Sequence, residues 1–107
     1  MEAKYRRMLK GMKIKDARSR RRKKQEPWYL YILECSDRSF YTGVAKSIEQ
    51  RFKKHMSGKA SRFTRTRLPV KLLYQEKCLN RTAALIRECA VKALPRKKKE
   101  ALIEQGV

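Results

Sequence analysis

The stretch Trp28-Tyr-Leu-Tyr-Ile-Leu-Glu-Cys35 is aromatic and branched almost throughout, the composition of a strand. Ser36-Asp37-Arg38 then supplies turn chemistry, and Ser39-Phe-Tyr-Thr-Gly-Val44 returns as a second strand. A three-residue loop over 36–38 sets residue 35 opposite 39, which puts Tyr31 and Tyr41 diagonally adjacent on one face. A two-residue loop would put them on opposite faces; the odd loop is the expectation.

Past the hairpin the period changes from two to about three and a half. Ser47-Ile-Glu-Gln50 has the form of a capping box, so a helix should begin at Ile48 with Ile48, Phe52 and Met56 as its apolar stripe. Arg51 and His55 fall one turn apart along an edge of that stripe, and Gly58 is a suitable stop. Residues 59–69 read as a basic loop, and Val70–Lys77 as a third strand. Asn80 can cap a helix over 81–94, and Pro95 suits the first turn of a last short helix carrying Leu102 and Ile103. Trp28 and Tyr74 read as core. The order ββαβαα predicts an α+β domain: a small three-stranded, mostly antiparallel sheet flanked by helices.

Composition adds an electrostatic bias. The 107 residues hold 30 Lys+Arg against 10 Asp+Glu, a formal +20, which repels itself in the compact state and draws polyanions. Nucleic acid is the expected partner. No apolar run approaches the roughly 20 residues that span a bilayer, and no secretory h-region is present. Cys35, Cys78 and Cys89 are odd in number and lack CxxC spacing. With a single histidine in the chain they suggest reduced thiols in a cytoplasmic protein rather than a zinc site.

The charge is uneven. Residues 1–26 hold twelve Lys/Arg, and 18–24 contain no apolar side chain, so this segment is expected to be a largely flexible basic arm. Residues 4–14 could form a short amphipathic helix on a phosphate backbone. Residues 27–104 are the expected folded domain.

Tyr29-Leu30-Tyr31, Tyr41-Thr42-Gly43, Arg51, His55 and Glu88 form an ordered set across this domain. In that order and spacing they resemble the GIY-YIG nuclease superfamily, specifically its small stand-alone bacterial type. The triplets match the two that name the family. The arginine and histidine match its first helix, and Glu88 matches the glutamate of a later helix. Tyr29 stands where the family usually has glycine, and the asparagine many relatives carry near the domain's end has no counterpart, Asn80 being a helix cap.

The resemblance implies a DNA endonuclease that hydrolyses phosphodiester bonds with one divalent ion, Mg²⁺ or Mn²⁺. By that likeness Tyr31 or Tyr41 takes a proton from the attacking water, and Arg51 holds non-bridging oxygens. His55 orients the water or moves a proton, and Glu88 supplies the carboxylate to the metal. Lys46, Lys59, Arg62, Arg65 and Arg67 are the expected phosphate contacts, with Phe63 placed to stack on an unpaired base. Single-stranded or branched DNA is the weakly favoured substrate, in repair, recombination or uptake. The rival readings are a non-catalytic nucleic-acid-binding protein on the same scaffold and a basic accessory protein on RNA.

Overall fold

The computed structural model describes residues 26–106. Strand β1 (Trp28–Glu34) lies between β2 (Phe40–Ala45) and β3 (Lys71–Cys78), and both neighbours run antiparallel to it. Helices α1 (Ile48–Met56), α2 (Arg62–Arg65), α3 (Arg81–Lys92) and α4 (Arg96–Gln105) complete the chain. The α+β architecture is the one the periodicity predicts. The expected basic arm, with its helix over 4–14 and the cluster at 18–24, lies outside the described residues apart from Glu26.

The hairpin turn has the odd length. The Cys35 N–H donates to the Ser39 carbonyl at 2.8 Å and the Arg38 N–H to the Cys35 carbonyl at 2.9 Å, so 36–38 form the loop. Arg38 occupies the left-handed region, φ 72°, the third-position conformation that a three-residue hairpin demands. Register follows: Tyr31 pairs with Gly43 and Leu33 with Tyr41. Tyr31 and Tyr41 therefore share a face on the diagonal, with ring centroids 6.4 Å apart. On the other side β1 pairs with β3 through a bulge between Ile32 and Leu33.

Because β1 is central, its alternate side chains feed two cores. Tyr31, Leu33 and Cys35 join Ala45 and Val70 beneath Ile48 and Phe52 of α1. Leu30 and Ile32 point the other way, onto Val91 of α3 and Leu102 and Ile103 of α4. Leu30 through Leu33 are all buried, and each contributes on the order of 2 kcal/mol by leaving water.

The helix ends obey local chemistry. The Ser47 hydroxyl accepts from the Gln50 N–H at 3.3 Å, and the Asn80 side chain accepts from the Ala83 N–H at 2.8 Å. Gly58, at φ 78°, closes α1 with paired bonds, Gly58 N–H to the His55 carbonyl and Lys59 N–H to that of Lys54.

Four expectations need correction. Residues 59–69 are not all loop: Ser61 accepts from the N–H groups of Phe63 and Thr64 and starts the one-turn α2. Met56 is exposed at 43 %, and the inward place is taken by His55 at 0 %. The stripe drifts because a period of 3.6 does not keep i, i+4 and i+8 on one line. Helix α3 stops at Lys92 rather than 94, with Ala93 as its cap. Trp28 and Tyr74 are half-buried rather than core. Arg81 lies over the Trp28 ring at 5.5 Å, and the Tyr74 hydroxyl donates to Glu76 at 2.6 Å.

Candidate active site

His55 stands at the centre. Its Nε2 lies 2.9 Å from the Tyr31 hydroxyl and its Nδ1 lies 2.8 Å from Oγ1 of Thr64. Tyr31, His55 and Thr64 are each at most 2 % exposed. Burial and the neighbouring Arg51 guanidinium push the His55 pKa down to about 4, so the imidazole is neutral at physiological pH. Burial likewise moves the Tyr31 phenol well above the ordinary range, with smaller contributions from Tyr41 and Glu88, while Arg51 acts in the opposite sense.

Tyr41 meets the imidazole edge-on at 5.1 Å between centroids, and Tyr31 at 5.8 Å. Arg51 lies one turn before His55 on α1, near enough for its positive charge to act on both the imidazole and the Tyr31 phenol. Glu88 comes from α3, the helix that packs through Val91 on Leu30 and Ile32. It lies four residues after Ala84 and three before Val91, both fully buried, so helix geometry turns it inward. Its side chain is 20 % exposed, close enough to Tyr31 to disfavour a phenolate there. Lys92, one turn on, approaches the carboxylate at 3.4 Å. Tyr31, Tyr41 and His55 therefore meet in direct contact, with Arg51 and Glu88 near enough to act on the Tyr31 phenol through their charges.

The basic residues divide. Lys46 forms an exposed pair with Glu26 at 2.6 Å. Lys59, Arg62 and Arg65 are exposed on and around α2. Arg67 turns back instead, donating to Asp37 at 3.0 Å and to the Phe63 carbonyl at 2.8 Å. Its guanidinium lies 4.0 Å over the Phe63 ring, which in turn stacks on Tyr41 at 6.1 Å. A base can stack on that face of Phe63 only after Arg67 swings away.

Residues 27–101 match the family described as "GIY-YIG catalytic domain". The chain belongs to the GIY-YIG family. Over 78 residues this GIY-YIG chain is 46 % identical to a UPF0213 protein of Staphylococcus saprophyticus, spanning 73 % of this chain and 95 % of that one. A UPF0213 protein of Streptococcus sanguinis is 46 % identical over 77 residues, 72 % of this chain and 88 % of its own. A UPF0213 protein of Bacillus halodurans, solved by NMR in solution, is 42 % identical with a TM-score of 0.49, covering 74 % of this chain and 84 % of that one. The two curated relatives contain little beyond the matched stretch, so they are small stand-alone proteins. A GIY-YIG domain implies a nuclease-type function on DNA, and such nucleases generally use divalent metals.

Among the described residues no three His, Cys, Asp or Glu side chains gather as a ready-made metal cage. A lone, partly shielded carboxylate fits Mg²⁺, which keeps several waters and takes other oxygens from phosphate. Among the described residues no helix is long and apolar enough to cross a membrane.

One neighbour of the site, Thr64, has no distinguishing pattern in the sequence. Thr64 looked like one more polar residue in a basic loop; the usable signal was Ser61, a helix cap three residues earlier. Gly43, the last residue of the second triplet, pairs with Tyr31 in an unbroken β1–β2 register. A Cβ on Gly43 would lie 2.6 Å from the Tyr31 hydroxyl oxygen, so only glycine leaves the phenol where it is.

Proposed function

We propose that this protein is a cytoplasmic, divalent-metal-dependent endonuclease hydrolysing phosphodiester bonds in DNA, acting in repair, recombination or uptake. The observation that carries the reading is the buried Tyr31 phenol bonded to a neutral imidazole, within the electrostatic reach of Arg51 and Glu88. That contact favours Tyr31 over Tyr41 as the general base. A water attacking phosphorus loses its proton to the Tyr31 oxygen, while the phenolic proton passes to Nε2 of His55. Because His55 is neutral at physiological pH, its lone pair is available for that transfer. Arg51 offsets charge gathering on the non-bridging oxygens through its planar fork. A divalent ion on Glu88 supplies Lewis-acid polarisation of the phosphate when bound. Lys59, Arg62 and Arg65 contribute sequence-independent phosphate contacts.

The test is a panel of single-stranded, duplex and forked DNA with Mg²⁺ or Mn²⁺. Wild type should cut at least one of them, and Glu88→Gln should lower cleavage by about 10²-fold or more while leaving binding near intact. DNA that is shifted but never cut would instead establish a binding protein on this scaffold. Stronger binding to matched RNA would move the substrate class.

A further inference from the structure

We infer that Thr64 is a positioning residue that holds His55 in its Nδ1–H tautomer, so that the Nε2 lone pair faces the Tyr31 hydroxyl. The inference rests on the nuclease reading only for its consequence in catalysis; the tautomer itself follows from hydrogen-bond arithmetic.

A neutral imidazole carries one N–H and one acceptor nitrogen. Both nitrogens of His55 have a buried hydroxyl partner, at 2.9 Å and 2.8 Å. With the proton on Nδ1, every hydrogen in the chain finds an acceptor. Tyr31 O–H donates to Nε2, Nδ1–H donates to Thr64 Oγ1, and the Thr64 hydroxyl donates on to the Ser61 carbonyl at 3.4 Å. With the proton on Nε2, that N–H would donate to the Tyr31 oxygen and the Thr64 hydroxyl would have to turn from the Ser61 carbonyl to Nδ1. The phenolic proton would then point into a buried region without its imidazole acceptor, a cost of roughly 1–3 kcal/mol.

The fold supplies this contact through α2. Ser61 caps that single turn with its hydroxyl, bonding the N–H groups of Phe63 and Thr64, and its carbonyl takes the Thr64 proton. The one-turn helix aims Thr64 inward while Arg62 and Arg65 face solvent. The same short element therefore presents cations outward and orients the imidazole from within.

His55 is the chain's single histidine, so protein labelled with ¹⁵N in its histidine ring gives one imidazole pattern. At pH 7, wild type should show a protonated Nδ1 and a pyridine-type Nε2. Thr64→Val should shift the population toward Nε2–H, and Thr64→Ser should restore the wild-type pattern. An Nε2–H imidazole in wild type would overturn the inference, as would an unchanged pattern in Thr64→Val. Should Thr64→Val fail to fold, the wild-type and Thr64→Ser spectra still decide. In cleavage, Thr64→Val should lower kcat by roughly 10- to 100-fold with KM little changed, and Thr64→Ser should recover most of it. A protein that cuts no DNA yet holds Nδ1–H would sink the nuclease reading and leave the tautomer standing.

Discussion

Tyr31 lies across Gly43, its register partner on β2, so closely that an added methyl would meet the phenol oxygen at 2.6 Å and Cζ at 2.7 Å. Strand and ring are both buried, and neither can retreat cheaply. Gly43→Ala should therefore displace the Tyr31 ring and break its contact with His55. Expected results are a stability loss of about 1–3 kcal/mol in urea unfolding and cleavage reduced at least as much as stability. Retention of full activity would mean that the phenol position does not matter.

Tyr31→Phe and Tyr41→Phe separate the two phenols. The first removes the donor to Nε2 and leaves a buried imidazole nitrogen short of a partner. It should cost about 1–2 kcal/mol and lower cleavage by roughly 10²- to 10⁴-fold. The second keeps the ring stacked on Phe63 and should cost far less in both measurements. Equal losses in single-turnover cleavage would argue against Tyr31 as the sole base.

Stability should fall on mild acidification because of His55. Its folded pKa, about 4, lies below the unfolded value of about 6.5. Above pH 6.5 both states are neutral and the contribution is whole. As pH drops from 6.5 toward 4 the unfolded chain takes up a proton that the buried ring refuses, so stability is lost. The full effect is on the order of 3 kcal/mol, and the portion between pH 6.5 and 5 precedes most carboxylate titration. Thermal melts of wild type should decline across that window, whereas His55→Gln should be flat there. A flat wild type would contradict a buried neutral imidazole.

The cations around α2 should fall into two kinds. Arg62→Ala and Arg65→Ala remove exposed charges, so each should weaken DNA binding and shallow the log K against log salt slope by up to about one unit. Arg67→Ala removes the link from Asp37 to Phe63, and should mainly lower stability, by about 1 kcal/mol. Asp37→Ala should mimic Arg67→Ala in melting and not in salt slope. A large slope change in Arg67→Ala would show that its guanidinium leaves Asp37 for phosphate.

Local rules made much of the scaffold legible in the chain. The hydrophobic run 28–35 announced the central strand, the Ser36-Asp37-Arg38 loop set register, and Ser47, Gly58 and Asn80 marked helix ends by short-range hydrogen bonding. The ordered tyrosines, Arg51, His55 and Glu88 pointed to one site because their order and spacing resemble the GIY-YIG pattern. Met56 and His55 exchanged places, since a stripe drawn every fourth residue drifts around a helix by about 40° a step.

What the order of residues determined alone was therefore the inventory and its spacing: an α+β hairpin-and-helix domain, heavily cationic, carrying a phenol on each strand of its hairpin. What only the assembled tertiary structure decided was which groups touch. Tyr31 rather than Tyr41 bonds His55, Thr64 crosses nine positions to hold the other ring nitrogen, and Gly43 yields room to a ring on the neighbouring strand. Those contacts join elements that are distant along the chain. Their distances depend on how helix and sheet pack around a common core, which no periodicity within one segment encodes.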